Sequence, residues 1–138
     1  MAQVQVKARA GQQFQQEIKA GPHSFVADAP KSVGGAEVGP EPHELLLASL
    51  GACTSITLQM YAKRKGWDLQ DVQVDLKEEQ LDDAESGKPI SKITREIHVT
   101  GNLEPEQLEQ LKTVADKCPI HKLLSGPKQI NTQLDKTN

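Results

Sequence analysis

The chain has 138 residues, a formal net charge of −3, two cysteines, and only four aromatic residues, Phe14, Phe25, Tyr61 and Trp67. That length predicts one domain, 1–138, long enough for a real core and too short for two. The mild acidity and the scarcity of stacking rings argue against a nucleic-acid surface, and no unbroken apolar run reaches the roughly 18 residues of a membrane span. The alternating start, Met1-Ala-Gln-Val-Gln-Val-Lys, lacks the basic patch and apolar block of an export signal, so the expectation is a cytoplasmic protein whose cysteines are reduced or redox-cycling.

Val4, Val6 and Ala8 alternate with Gln5 and Lys7, Ala10-Gly11-Gln12 supplies a turn, and Phe14, Gln16 and Ile18 resume a strand-like run. A hairpin is predicted. Gly21-Pro22 turns the chain into a short third strand, Ser24 to Asp28, which ends at Ala29-Pro30. The segment Lys31 to Gly39 reads as a loop; its Gly34-Gly35 pair lacks the lysine and Ser/Thr of a phosphate-binding motif, and no cofactor is expected.

Pro40 to Lys65 reads as one long helix. Pro40 and Pro42 suit its entry, Glu41 and Glu44 its positive end, Lys63, Arg64 and Lys65 its negative end, and Gly66 stops it. From Leu45 to Leu58 no continuous polar face remains, so the helix should be buried. Opposite sides of such a helix need apolar cover, and a two-fold homodimer that sets equivalent helices against each other is the simplest source.

Beyond the helix, Val72, Val74 and Leu76, and then Ile93, Ile97 and Val99, predict two strands paired across an exposed connection from Asp82 to Pro89. Asn102 is expected to open an amphipathic helix with Leu103, Leu108, Leu111, Val114 and Ala115 on one stripe. Pro119 should break it, Ile120 to Leu124 should form a short second helix, and Ile130, Thr132 and Leu134 should form a closing strand. The order is three strands, a helix, two strands, two helices and a strand. That is an α+β pattern.

Cys53 lies mid-helix among the small residues Gly51, Ala52, Thr54 and Ser55, and such a thiol alone is more often a core filler. Cys118 lies in Asp116-Lys117-Cys118-Pro119-Ile120-His121-Lys122, at a helix break where free backbone N–H groups, lysines and His121 favour a thiolate. As the chain's only thiols, each among small or cationic neighbours, they point to a functional pair.

The Pro42 to Cys53 segment, Pro-His-Glu-Leu-Leu-Leu-Ala-Ser-Leu-Gly-Ala-Cys, taken with the Cys118 motif and the element order, resembles the OsmC/Ohr superfamily of small thiol peroxidases, and most of all its OsmC-like branch. The resemblance spans nearly the whole chain. It implies an intertwined homodimer with two long helices at its centre, and reduction of organic or hydrogen peroxide by a cysteine pair. On this sequence Cys53 would be the peroxidatic thiol and Cys118 the resolving one, recharged by a thiol reductant that the sequence does not identify. The resemblance also implies an arginine beside the peroxidatic thiol and a glutamate that holds it. Arg9 matches by location, with Arg95 as its competitor; Glu44 is the nearest acid, although the matching position is His43.

Two other readings stand beside this one. Cys118-x-x-His121 with Cys53 and His43 would supply the N/S ligands that zinc prefers. Alternatively, the dimer is a non-enzymatic module that binds a small apolar ligand or a protein, and its thiols are incidental.

Overall fold

The computed structural model describes residues 2–136. In chain order the elements are β1 (Gln5–Ala8), β2 (Gln16–Ala20), β3 (His23–Ala27), a 3-10 turn (Lys31–Val33), α1 (Pro42–Lys65), β4 (Asp71–Asp82), β5 (Pro89–Thr100), α2 (Pro105–Ala115) and α3 (Pro119–Ser125). The α+β pattern is as expected. The chain divides into two compact units, one ending at Ser49 and the other beginning at Leu50, so the boundary falls within α1.

In the first unit β1, β2 and β3 form an antiparallel meander in that order. Ile18 stands opposite Val6 on one side and Phe25 on the other, and it is the buried side chain of β2. After β3 the chain winds around a buried carboxylate: Asp28 accepts hydrogen bonds from the backbone N–H groups of Ala29 at 2.7 Å, Ala36 at 3.1 Å and Val38 at 3.3 Å. Burial pushes the Asp28 pKa upward, but the three N–H donors outweigh it and hold the group below its ordinary value. A Cβ at Gly35 would run into the Ala29 carbonyl, so this tight winding needs glycine there.

The second unit packs the remainder of α1 with the β4–β5 hairpin, α2 and α3. The hairpin is longer than the alternation suggests, pairing continuously from Asp71 opposite Thr100 to Asp82 opposite Pro89. At its tip Asp83 accepts from both the N–H and the hydroxyl of Ser86, which closes the turn. Leu58 of α1 meets Leu111, Val114 and Ala115 of α2 in the buried core, with Tyr61, Trp67, Val72 and Ile97 packed around them. Gly51 lets β4 come close, since a Cβ there would stand 2.8 Å from Leu76 Cδ1.

Three expectations need correction. Within one chain α1 is not buried all round: Leu50, Thr54, Leu58 and Ala62 form one buried seam at four-residue spacing, while Ile56 and Met60 are exposed. The reason is that α2 and the hairpin cover only one side of the helix. By length and composition α1 would also suffice to cross a membrane, which a search for unbroken apolar runs misses because Ser49, Thr54, Ser55 and Thr57 interrupt it. Its seam, which includes a fully buried hydroxyl, packs instead as a core helix. Finally, the expected closing strand is absent among the described residues: Ile130 is 85% and Leu134 95% exposed, and neither sheet's register reaches them. Alternation predicts a strand only where another strand offers a ladder.

The start of α2 also differs. Glu104, not Asn102, is the N-cap: Glu104 and Gln107 form a reciprocal capping box, and Pro105 takes the first turn.

Candidate functional site

Three elements of the second unit bring their side chains together. Cys53 and Thr54 come from α1, Arg95 from the middle of β5, and Cys118 and His121 from the junction of α2 and α3. The junction places Cys118 by a simple device. Pro119 has no N–H and takes the first helical position of α3, so Cys118 becomes the N-cap, with an extended backbone, and its sulfur accepts the His121 N–H at 3.3 Å.

Cys53 directly precedes Thr54, whose hydroxyl lies 3.8 Å from the Cys118 sulfur, and the Cys53 side chain is among the groups that lower the Cys118 pKa. Both are free cysteines, with Cys53 half-buried and Cys118 fully enclosed. Burial pushes the Cys118 thiol up, but the His121 N–H, the Thr54 hydroxyl, the Cys53 side chain and the Arg95 charge together bring it below its ordinary value. A site that collects donors around one sulfur favours the anion there.

Arg95 ties the cluster together. Its side chain is 12% exposed; Nη1 donates to Thr54 Oγ1 at 3.0 Å, and Nη2 donates to Asp116 Oδ1 at 2.9 Å and to His121 Nδ1 at 3.1 Å. A guanidinium offers only donors, so in this contact His121 Nδ1 is the acceptor. Beside the cluster lies a cavity of about 360 Å³, with apolar walls from Leu50, Ile93 and Leu124, hydroxyls from Ser91 and Ser125, and Arg95 and His121 at its polar side.

Of the residues singled out in the sequence, Cys53, Cys118, Arg95 and His121 are brought together. Arg9 and Glu44 belong to the first unit, where Arg9 Nη1 donates to Gln15 Oε1 at 3.0 Å and Glu44 Oε1 accepts the Glu41 N–H at 3.0 Å. The zinc alternative loses its geometry, because His121 turns Nδ1 toward a cation and gives its backbone N–H, not its ring, to Cys118. Among the described residues no group of three or more His, Cys, Asp or Glu side chains is placed to hold a metal ion. Nothing in the sequence alone marks Thr54 or Asp116 as a member of the cluster. What marks Thr54 is its place on the buried seam of α1, where a hydroxyl needs a partner.

The sequence matches the OsmC-like protein family over residues 34–133. This chain belongs to the OsmC-like family. Solved structures with the same fold include an OsmC-like protein from Mycoplasma pneumoniae, 16% identical with a TM-score of 0.74 over 91% of this chain and 88% of that one. An organic hydroperoxide resistance protein of the OsmC type from Legionella pneumophila is 19% identical, with a TM-score of 0.69 over 91% and 90%. The organic hydroperoxide resistance protein OhrB of Bacillus subtilis is 21% identical, with a TM-score of 0.63 over 91% of each chain. A search of curated protein sequences finds no match.

Proposed function

We propose that this OsmC-like protein is a peroxide-reducing enzyme of the cytoplasm that works as a homodimer through a Cys53–Cys118 cycle. The observation that carries the reading is the approach of the Cys53–Thr54 step of α1 to the buried Cys118 sulfur, which lies 3.8 Å from Thr54 Oγ1 inside a cluster that favours a thiolate. Membership of the family and structural neighbours named for organic hydroperoxide resistance support the same role. The exposed Ile56 and Met60 on the outer side of α1 support a second copy as cover.

In this reading the thiolate of Cys53, the more accessible of the two cysteines, attacks the terminal oxygen of a hydroperoxide. The O–O bond breaks, an S–O bond forms, and the alkoxide takes a proton from water and leaves as an alcohol; Cys53 becomes a sulfenic acid. Cys118 then attacks the Cys53 sulfur, the S–O bond breaks, and water leaves a disulfide that an external dithiol reduces. The apolar walls beside Arg95 suit an alkyl hydroperoxide. Arg9 and Glu44 are assigned supporting roles on the family resemblance alone; in this structure Arg9 pairs with Gln15 and Glu44 with the Glu41 N–H.

Intact-mass analysis after one equivalent of an alkyl hydroperoxide tests the cycle. The expected product is a loss of two hydrogens in the native chain, a sulfenic acid trapped by a dimedone-type reagent on Cys53 in Cys118→Ser, and no peroxide consumed by Cys53→Ser. Consumption by Cys53→Ser but not by Cys118→Ser would reverse the two roles.

A further inference from the structure

Thr54 has no exposed surface, and its hydroxyl carries one proton with two places to put it. Oγ1 lies 2.7 Å from the Leu50 carbonyl oxygen and 3.8 Å from Cys118 Sγ, and it accepts from Arg95 Nη1 at 3.0 Å. The Leu50 carbonyl is the acceptor one turn back on the same helix, already served by the helix ladder, so it loses little if the hydroxyl turns away. A charged acceptor is worth roughly twice a neutral one. The balance between the two acceptors therefore depends on whether Cys118 is ionised.

We propose that Thr54 is a positioning residue whose hydroxyl proton, polarised by Arg95, moves from the Leu50 carbonyl to the Cys118 sulfur when that sulfur becomes a thiolate. Asp116 is the outer anchor: its carboxylate fixes the guanidinium so that Nη1 points at Thr54. The groups facing Cys118 are Cys53 and Thr54 from α1, Arg95 from β5 and His121 from α3, with Asp116 behind Arg95; the lowered Cys118 pKa accords with this ring of donors. A β-branched side chain suits the task, since its restricted χ1 keeps Oγ1 between the two acceptors. The consequence for the cycle rests on the two-cysteine reading. Held in this way, the Cys118 thiolate can form the S–S bond to the Cys53 sulfenic acid while the S–O bond breaks and the oxygen leaves as hydroxide. Formally the Cys118 sulfur loses one electron and the Cys53 sulfur gains one.

The test titrates the Cys118 thiolate by its absorbance near 240 nm, or by the pH dependence of alkylation, in a Cys53→Ser background. Thr54→Val keeps the shape and removes the hydroxyl, and it is expected to raise the midpoint by on the order of one pH unit, whereas Thr54→Ser retains the parent value. Arg95→Gln, which leaves the hydroxyl but removes the charge that polarises it, is the second variant and is expected to shift the midpoint in the same direction. Midpoints in Thr54→Val and Arg95→Gln that overlay the parent would overturn the proposal, as would a Thr54→Ser variant that behaves like valine. With Cys53 restored, Thr54→Val is expected to form the disulfide about tenfold more slowly once the sulfenic acid is in place. A shifted thiol titration, alongside a chain with both cysteines that consumes no peroxide, supports the Thr54–Cys118 coupling and overturns the peroxidase cycle instead.

Discussion

Leu58 is the side chain on which the placement of Cys118 depends, and its truncation to alanine is the sharpest test of the packing. Leu58 is 1% exposed and closes against Leu111, Val114 and Ala115, the face of α2 that leads directly into Cys118. Removing the branched end of the side chain forfeits about 0.8 kcal/mol for each buried carbon group, or roughly 2.4 kcal/mol in transfer terms. A cavity contribution adds to this, because Leu111 and Val114 are 3% and 4% exposed and are tied to α2, so they cannot collapse inward freely. The expected loss is about 3–4 kcal/mol, and for a chain of this length about 10–15 °C in the thermal midpoint. Trp67 packs on the cluster, so its fluorescence reports unfolding in urea, measured on reduced protein at one fixed concentration. The same variant is expected to slow Cys53–Cys118 disulfide formation, because α2 no longer holds its end firmly against α1. A midpoint equal to that of the native chain would refute the reasoning.

Reduced protein is expected to gain stability as pH rises through the window between the lowered Cys118 pKa and the ordinary 9.0, because the folded state there binds fewer protons than the unfolded one. The gain is lost as pH falls through the folded value, and urea midpoints across that range should show the slope flattened in Cys118→Ser. Asp28 follows the same sign at acid pH: its contribution is present above the ordinary 3.8 and is lost as pH falls through the lowered value. Asp28→Ala strands three backbone donors and is expected to lower the thermal midpoint and open the loop after β3 to proteolysis, where an unchanged digestion pattern would count against the winding described above. Arg9→Met and Glu44→Gln are expected to slow attack by Cys53 on an alkyl hydroperoxide by on the order of a hundredfold without moving the Cys118 titration. Native stopped-flow rates in both variants would overturn their proposed role.

Local signals served well where they were self-sufficient. Prolines and charges at both ends of α1, alternation in the long hairpin, and Pro119 after Cys118 each act through their own backbone, and each element stands where its residues placed it. The family likeness was equally legible, since its motifs are contiguous. What could not be read was any contact made between elements. Arg95 and Thr54 are 41 residues apart in the chain, and nothing in either neighbourhood announces that a β5 guanidinium will reach a hydroxyl on α1. The closing strand failed for the same reason, because Ile130, Thr132 and Leu134 alternate correctly yet strand character depends on a neighbour. Burial of α1 was overestimated because hydrophobicity states what a surface would gain from cover, and not whether one chain supplies it.

The sulfur that caps α3 is also the sulfur that would enter a disulfide, and this links covalent state to local order. A cap works by offering electron density to an open N–H group, and an anionic sulfur offers more than a divalent one bonded on both sides. Whatever draws charge from Cys118 therefore slackens the first turn of α3, together with the His121 that faces Arg95 across it. Backbone amide exchange at His121 becomes a gauge of how much negative charge the neighbouring sulfur carries, and it can be read without touching either thiol.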